Sequence, residues 1–202
     1  MKKNFLPIIL FLLVSCNKNE KANQNDDWKV VEINSYIQNN INLKKLNNEK
    51  EFSILFDSAT LKNKTNNIIF LQNEKINLKD TVNKKNEMFT RNRICSANYG
   101  KSDTLSINVM NSDGFTGDGF SISFFKNKYK INYSSFSDAG PSKYKSPNLK
   151  FIFNKLVLNK RKYKENDSIF GYVEFKCKDE KTYLKPVEYF AKGYFKTKVE
   201  KY

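Results

Sequence analysis

The chain contains no histidine. That one absence removes Ser-His-Asp and Cys-His catalysis, histidine-bearing zinc sites of the HExxH kind and the usual proton shuttle near neutral pH. The glycine-rich signatures GxGxxG and GxxxxGK(S/T) do not occur either, so the phosphate-cradling loops of nucleotide enzymes are missing. Cysteine is scarce, at three positions. The apolar run Phe5–Val14 is half the roughly 20 residues a helix needs to cross a hydrocarbon core, which excludes a permanent span there. There is no internal repeat of solenoid period. No cofactor and no metal ion is expected.

What is present begins at the amino terminus. Lys2 and Lys3 precede the apolar run, which is interrupted only by Pro7, and Ser15 precedes Cys16. A positive start, an apolar stretch and a small residue are the parts of an export signal. Leu13-Val14-Ser15-Cys16 resembles the lipobox of bacterial lipoproteins. The resemblance covers the signal and its cleavage point only. It implies cleavage before Cys16, diacylation of the Cys16 sulfur and acylation of the new amino terminus, with palmitate the expected chain. Two or three acyl chains hold a protein on a membrane durably, where one is marginal.

Residues 17–27 contain one alanine and no other apolar side chain. Such a stretch cannot bury enough surface to offset its ordering entropy and reads as a flexible tether. The expected organisation is a lipoprotein signal peptide over 1–15, a lipidated tether over 16–27 and a single mainly β domain over 28–202. Asn17 is not the aspartate that favours inner-membrane retention. Asn17-Lys18-Asn19-Glu20 loosely resembles the surface-export signals of Bacteroidota lipoproteins. The expected location is therefore the cell envelope, lipid-anchored at the outer membrane.

The precursor carries a net +15; losing Lys2 and Lys3 leaves +13, from 34 cations against 21 acids. The charge is unevenly spread. Between Lys126 and Lys164 stand eleven cations and one acid, Asp138. Lys126, Lys128, Lys130, Lys160, Arg161 and Lys162 form the candidate basic binding face. The interleaved Tyr129, Tyr133, Tyr144 and Tyr163 would suit nucleic acid in a cytoplasmic protein. At the envelope the fitting partners are an acidic protein face, an acidic glycan or lipopolysaccharide, with no nucleic acid. A lysine-rich solvated face is the plainer alternative. Cys95 and Cys177, in an oxidising compartment, either form a disulfide closing a long loop, about 4–5 kcal/mol in the chain-entropy account, or are two separate buried thiols.

Aromatic residues make up 14% of the chain, which favours strands. Phe120, Ile122 and Phe124 alternate with serines, and Tyr129, Ile131 and Tyr133 with polar residues, across a turn at Asn127; this predicts a hairpin. Leu149–Leu158 predicts a more central strand, Ser168–Cys177 a strand with one apolar face, and Glu188–Val199 the last strand. Phe190 and Tyr194 lie on its lysine-bearing side, covering either a second core layer or a partner. In the N-terminal half Ile33, Tyr36, Ile37, Ile41 and Lys44 have helix-like spacing. Phe52–Phe56, Ile68–Leu71 and Thr104–Met110 are strand candidates. The fold class is mainly β, an antiparallel sandwich or barrel-like domain with a short N-terminal helix.

Three weaker patterns remain. Ser123–Lys126 and Ser142–Lys145 match S-x-x-K, the nucleophile motif of serine penicillin-interacting enzymes, but its companion elements are missing. Asp113–Gly119 could offer carboxylates to calcium, yet lacks the spacing of a calcium loop and reads better as a hairpin loop with glycines at positive φ. Glu165/Asp167 and Asp179/Glu180 could be paired carboxylates, and read better as solvated loop acids. The expectation is a non-catalytic, membrane-anchored envelope lipoprotein binding a partner or anionic ligand, of inhibitor or immunity type in one version. The alternatives are an accessory or structural subunit of an outer-membrane complex, or a histidine-independent hydrolase.

Overall fold

The computed structural model describes residues 28–55, 58–73, 76, 92–100, 102–112, 116–138, 147–181 and 184–201. Its strands are β1 (Lys29–Val30), β2 (Glu32–Ile33), β3 (Lys50–Leu55), β4 (Ser58–Asn63), β5 (Ile69–Asn73), β6 (Asn92–Tyr99), β7 (Leu105–Ser112), β8 (Thr116–Phe125), β9 (Lys128–Ser137), β10 (Leu149–Leu158), β11 (Ser168–Asp179) and β12 (Val187–Glu200), with one helix, α1 (Ile41–Asn48).

Two antiparallel meanders make the molecule. In the first, β6, β7, β8 and β9 pair in chain order. Its tightest connection is the predicted hairpin: Lys126 and Asn127 both have positive φ, 45° and 68°, the twist a two-residue loop needs to match its flanking strands. In the second, β10, β11 and β12 pair in order, and β5 adds to the far side of β12. Strand β11 alternates buried and half-buried residues along its whole length, as a strand must when one face lies on a core.

The two meanders pack face to face. Phe120 of β8 meets Phe175 of β11 edge-on with ring centroids 5.0 Å apart, and Tyr133 of β9 lies 5.3 Å from Tyr189 of β12. One core of fully buried side chains, among them Leu105, Ile107, Ile122, Ile169, Val173 and Phe195, fills the gap. Strand β12 joins the layers, because its last residues Val199 and Glu200 pair in parallel with Ala97 and Asn98 of β6. The sheet does not close into a barrel: its ends are β1 on β9 and β2 on β10. The fold is mainly β and mostly antiparallel, as expected.

The outer face of the second layer carries two covers. Asn40 caps α1, its Oδ1 accepting the Asn42 N–H at 2.9 Å. Leu43 and Leu46 then pack with Ile37 against Val157, Phe170, Tyr172 and Tyr194. Further along, Leu71 and Ile76 cover Phe190, with Phe153 beside them. Phe190 and Tyr194 therefore belong to a second core layer.

Three local expectations are corrected. The helix begins at Ile41, while Ile33 sits in β2 and Ile37 in a 3-10 turn. Strand β10 is not central: beyond it lies only β2, paired at two residues. A register shift between Phe151 and Phe153 turns Ile152 outward, 55% exposed, and the apolar density reflects burial on two faces. Gly117 and Gly119 belong to β8 rather than to a loop. A Cβ on Gly119 would lie 2.0 Å from the Val109 carbonyl oxygen, so the residue serves a close strand approach, not a positive φ. Residues 113–115 lie outside the described residues.

Candidate binding surface

Antiparallel pairing brings the β8–β9 turn at 126–127 and the loop 159–167 between β10 and β11 to the same end of the sandwich. The loop is organised by Asn159, whose Oδ1 accepts the Tyr163 hydroxyl at 2.7 Å and the Phe170 N–H at 3.1 Å. Its Nδ2 donates to the Ser168 carbonyl at 3.3 Å. Tyr163 is thereby turned inward, 5% exposed, with its ring 6.3 Å from that of Phe124. The Tyr99 hydroxyl donates to the Tyr163 carbonyl at 2.8 Å, and the Asn166 N–H to the Val199 carbonyl at 2.8 Å. Burial pushes the Tyr163 hydroxyl's pKa up.

Burying Tyr163 sends its neighbours out. Arg161, Lys162 and Lys164 are exposed. Lys160 bridges to Asp167 at 2.7 Å, with its ammonium 5.2 Å from the Tyr163 ring centroid. The Lys160 bond, then the Lys164 N–H, hold the Asp167 carboxyl below its usual value. Lys126 in the turn lies 5.0 Å over the Phe125 ring. Lys128 and Lys130 stand on the outer face of β9, since Tyr129 and Ile131 between and beyond them are buried.

Of the six predicted face residues, Lys126, Lys160, Arg161 and Lys162 thus share one end, and Lys128 and Lys130 continue it onto the adjoining sheet face. Residues 126–130 and 160–167 hold seven cations against two acids, a net +5. The described connections at the opposite end, residues 138, 147–150, 178–181 and 184–188, hold four against four. The basic segment is not one patch, however. Lys150 travels to the opposite end and pairs with Glu180 at 2.7 Å, and Lys155 pairs with Glu32 at 2.8 Å. Lys143 and Lys145 lie outside the described residues. Of the interleaved tyrosines, Tyr129 and Tyr163 face the core, 2% and 5% exposed, so neither offers a ring for bases to stack on; Tyr133 is half-buried against the same core, and Tyr144 lies outside the described residues. Burial pushes the Tyr129 hydroxyl up to about 12.

The remaining predicted positions are placed as follows. Cys16 lies outside the described residues. Cys95 and Cys177 are both free and buried, the second of the two alternatives. Cys95 sits on β6 opposite Val109, and Cys177 on β11 between Phe151 and Tyr189. Burial, and then the Asp179 charge, push the Cys177 thiol up to about 12; burial alone pushes Cys95 up. Ser123 is on the outer face of β8 opposite Lys130, with Lys126 turned over Phe125. Ser142–Lys145 falls outside the described residues. Glu165 and Asp167 flank a turn, as expected. Asp179 is not a loop acid; it is fully buried at the end of β11, its Oδ1 accepting the Lys181 N–H at 3.1 Å.

The sequence reading missed one charged cluster. Glu188, 7% exposed, bridges to Lys176 at 2.9 Å and Lys178 at 3.3 Å and accepts the Ile76 N–H at 2.8 Å. Lys176 also donates to the Ile76 carbonyl at 3.0 Å. Burial raises the Glu188 pKa, but the Ile76 N–H and the two lysines outweigh it and hold the carboxyl below its ordinary value. The only signal was a lysine pair two residues apart on β11. Among the described residues no group of three or more side chains is arranged to hold a metal ion, and no helix is long and apolar enough to cross a membrane. Comparison with protein-family models, with curated proteins and with solved structures finds no match.

Proposed function

We propose that this protein is a non-catalytic, lipid-anchored envelope protein that binds an anionic partner or ligand at the basic end of its β-sandwich. The observation that carries the reading is the net +5 of residues 126–130 and 160–167, presented by a loop whose backbone is fixed through Asn159, Tyr99 and Val199. A fixed array of cations loses little entropy on meeting an anionic surface and steers its encounter. The lipobox resemblance at Leu13–Cys16 supports the anchor and the envelope location, and bears on no particular ligand.

The test is crosslinking in the native envelope. A photoreactive group at position 162 should capture its neighbours, and one at position 181, at the opposite end, should not. Capture should fall steeply between low and high salt, because exposed charges more than about 8 Å apart are screened at physiological ionic strength. Equal capture from both positions, or capture indifferent to salt, refutes the reading. The anchor is tested apart from this: a Cys16→Ala chain should lose its acyl mass and its membrane fractionation.

A further inference from the structure

We infer that the basic end is the membrane-facing surface of the protein, and that its anionic ligand is the net-negative headgroups of the bilayer holding the Cys16 anchor. This deepens the proposed function and rests on the lipoprotein reading of residues 1–27.

The first observation is where the chain enters the fold. Strand β1 pairs Lys29 with Tyr129 and Val30 with Lys128, and the Val31 N–H donates to the Asn127 carbonyl at 3.1 Å. The anchored segment therefore joins the sandwich on the basic hairpin itself. Twelve residues separate Cys16 from this point; the polar tether expected from their composition would have a root-mean-square reach of about 20 Å. The anchor keeps this end, more than the opposite one, within a few screening lengths of headgroups, about 8 Å each.

The second observation is the mixture of side chains presented there. Lys126, Arg161, Lys162 and Lys164 are exposed and make no ion pair among the described residues. The loop's own acids are Glu165 and Asp167, and Asp167 is engaged by Lys160 and the Lys164 N–H. Two exposed side chains with apolar surface lie on the segment by which the chain enters the fold here. Val30, 68% exposed, is directly opposite Lys128. Tyr36, 76% exposed, follows Asn34, whose N–H donates to the Leu158 carbonyl where the basic loop begins. Cations with a tyrosine and an aliphatic side chain among them suit the headgroup boundary, where long basic stems and amphipathic rings each have a wet and an apolar end.

The experiment uses the full lipidated chain in vesicles of phosphatidylcholine, alone or with about 30 mol% phosphatidylglycerol. Lysine acetylation rates are read by mass spectrometry. Each cation near an anionic surface changes partitioning about fivefold, so Lys126, Lys162 and Lys164 should label about fivefold more slowly or less on the anionic vesicles. Lys150 and Lys181 at the opposite end should be unchanged. The protection should vanish near 1 M salt, where the screening length is about 3 Å. Lys29, exposed on β1 beside the hairpin, should be protected with them, and a K126E/K162E/K164E chain should lose that protection. Equal labelling on both vesicles overturns the inference, as does protection by soluble polyglutamate without protection by anionic vesicles, which would select an acidic protein instead. Intact mass reports the acyl chains separately. If they are absent, the anchor reading fails alone, and sedimentation of the unlipidated chain with anionic but not neutral vesicles still decides the surface.

Discussion

Glu188 is the most demanding point of the fold, and Glu188→Gln probes it with little change in shape. The glutamine keeps an oxygen for the Ile76 N–H, now 2.8 Å from Glu188 Oε2, but removes the charge facing Lys176 and Lys178. The side chain of Lys176 is only 14% exposed, so its ammonium would keep the Ile76 carbonyl and lose its counter-charge. Removing one partner of a fully buried pair costs about 3–5 kcal/mol. Lys178, 41% exposed, regains solvent and adds little, so the expected loss is about 2–3 kcal/mol. For a domain of this size that lowers Tm by roughly 5–10 °C.

The assay is urea unfolding at pH 7, repeated at pH 3. The sign follows from the lowered carboxyl pKa. A folded pKa below the unfolded value, about 4.3, gives stability that is complete above that value and lost as pH falls through the folded one. The wild-type advantage over Glu188→Gln should therefore shrink at pH 3. The Lys176→Met/Glu188→Gln double variant should recover much of the loss, because no buried charge is then left uncompensated. A Glu188→Gln loss below about 0.5 kcal/mol, or single-variant effects that simply add, would refute the account.

Gly119→Ala should destabilise by about 3 kcal/mol or more, the upper end of overpacking costs, because the Val109 carbonyl at 2.0 Å is backbone and cannot swing away. Gly100→Ala, whose nearest contact is 3.7 Å, is the control and should stay within about 0.5 kcal/mol in the same melt. Cys95 and Cys177 should resist alkylation in the native protein and both take up label after denaturation without reductant, read by intact mass; a chain unlabelled until reduced would overturn the free-thiol assignment. Asn159→Ala removes the acceptor of two hydrogen bonds, and should cost about 2–3 kcal/mol and raise proteolysis at Arg161 and Lys162. An unchanged digestion pattern would show that the loop is held by other means.

How much was legible follows from how each strand meets its surroundings. Strands β8 and β9 alternate large apolar residues with serine, lysine and asparagine, and one wet face makes such a period visible. Strand β6 was invisible because its buried residues include Cys95 and Ala97, which carry little apolar signal, with Ser96 between them and Asn98 after. Strand β10 misled because Val157 and Phe153 are covered on the outer face, so two-sided burial imitates a central strand. At the site, the six cations of the basic face were legible as a group, but the departure of Lys150 and Lys155 from it was not. Strands run away from a turn, so Lys150 leaves for the far end while Lys160, ten residues later, returns. Glu188 and Asp179 could not be read as buried acids, since what covers Glu188 is a backbone segment a hundred residues upstream.

The short strands at the sheet's two ends have a consequence in time. Lys29 pairs with Tyr129, and Glu32 with Val157, so each must wait for a hundred or more residues before its partner exists. Contacts of such separation form slowly and late. Val31, between them, inserts into a core whose other walls come from β5 to β12. A chain lengthened from its amino terminus therefore builds both meanders with the seam between β9 and β10 unoccupied. The residues synthesised first in the fold are the last to be seated.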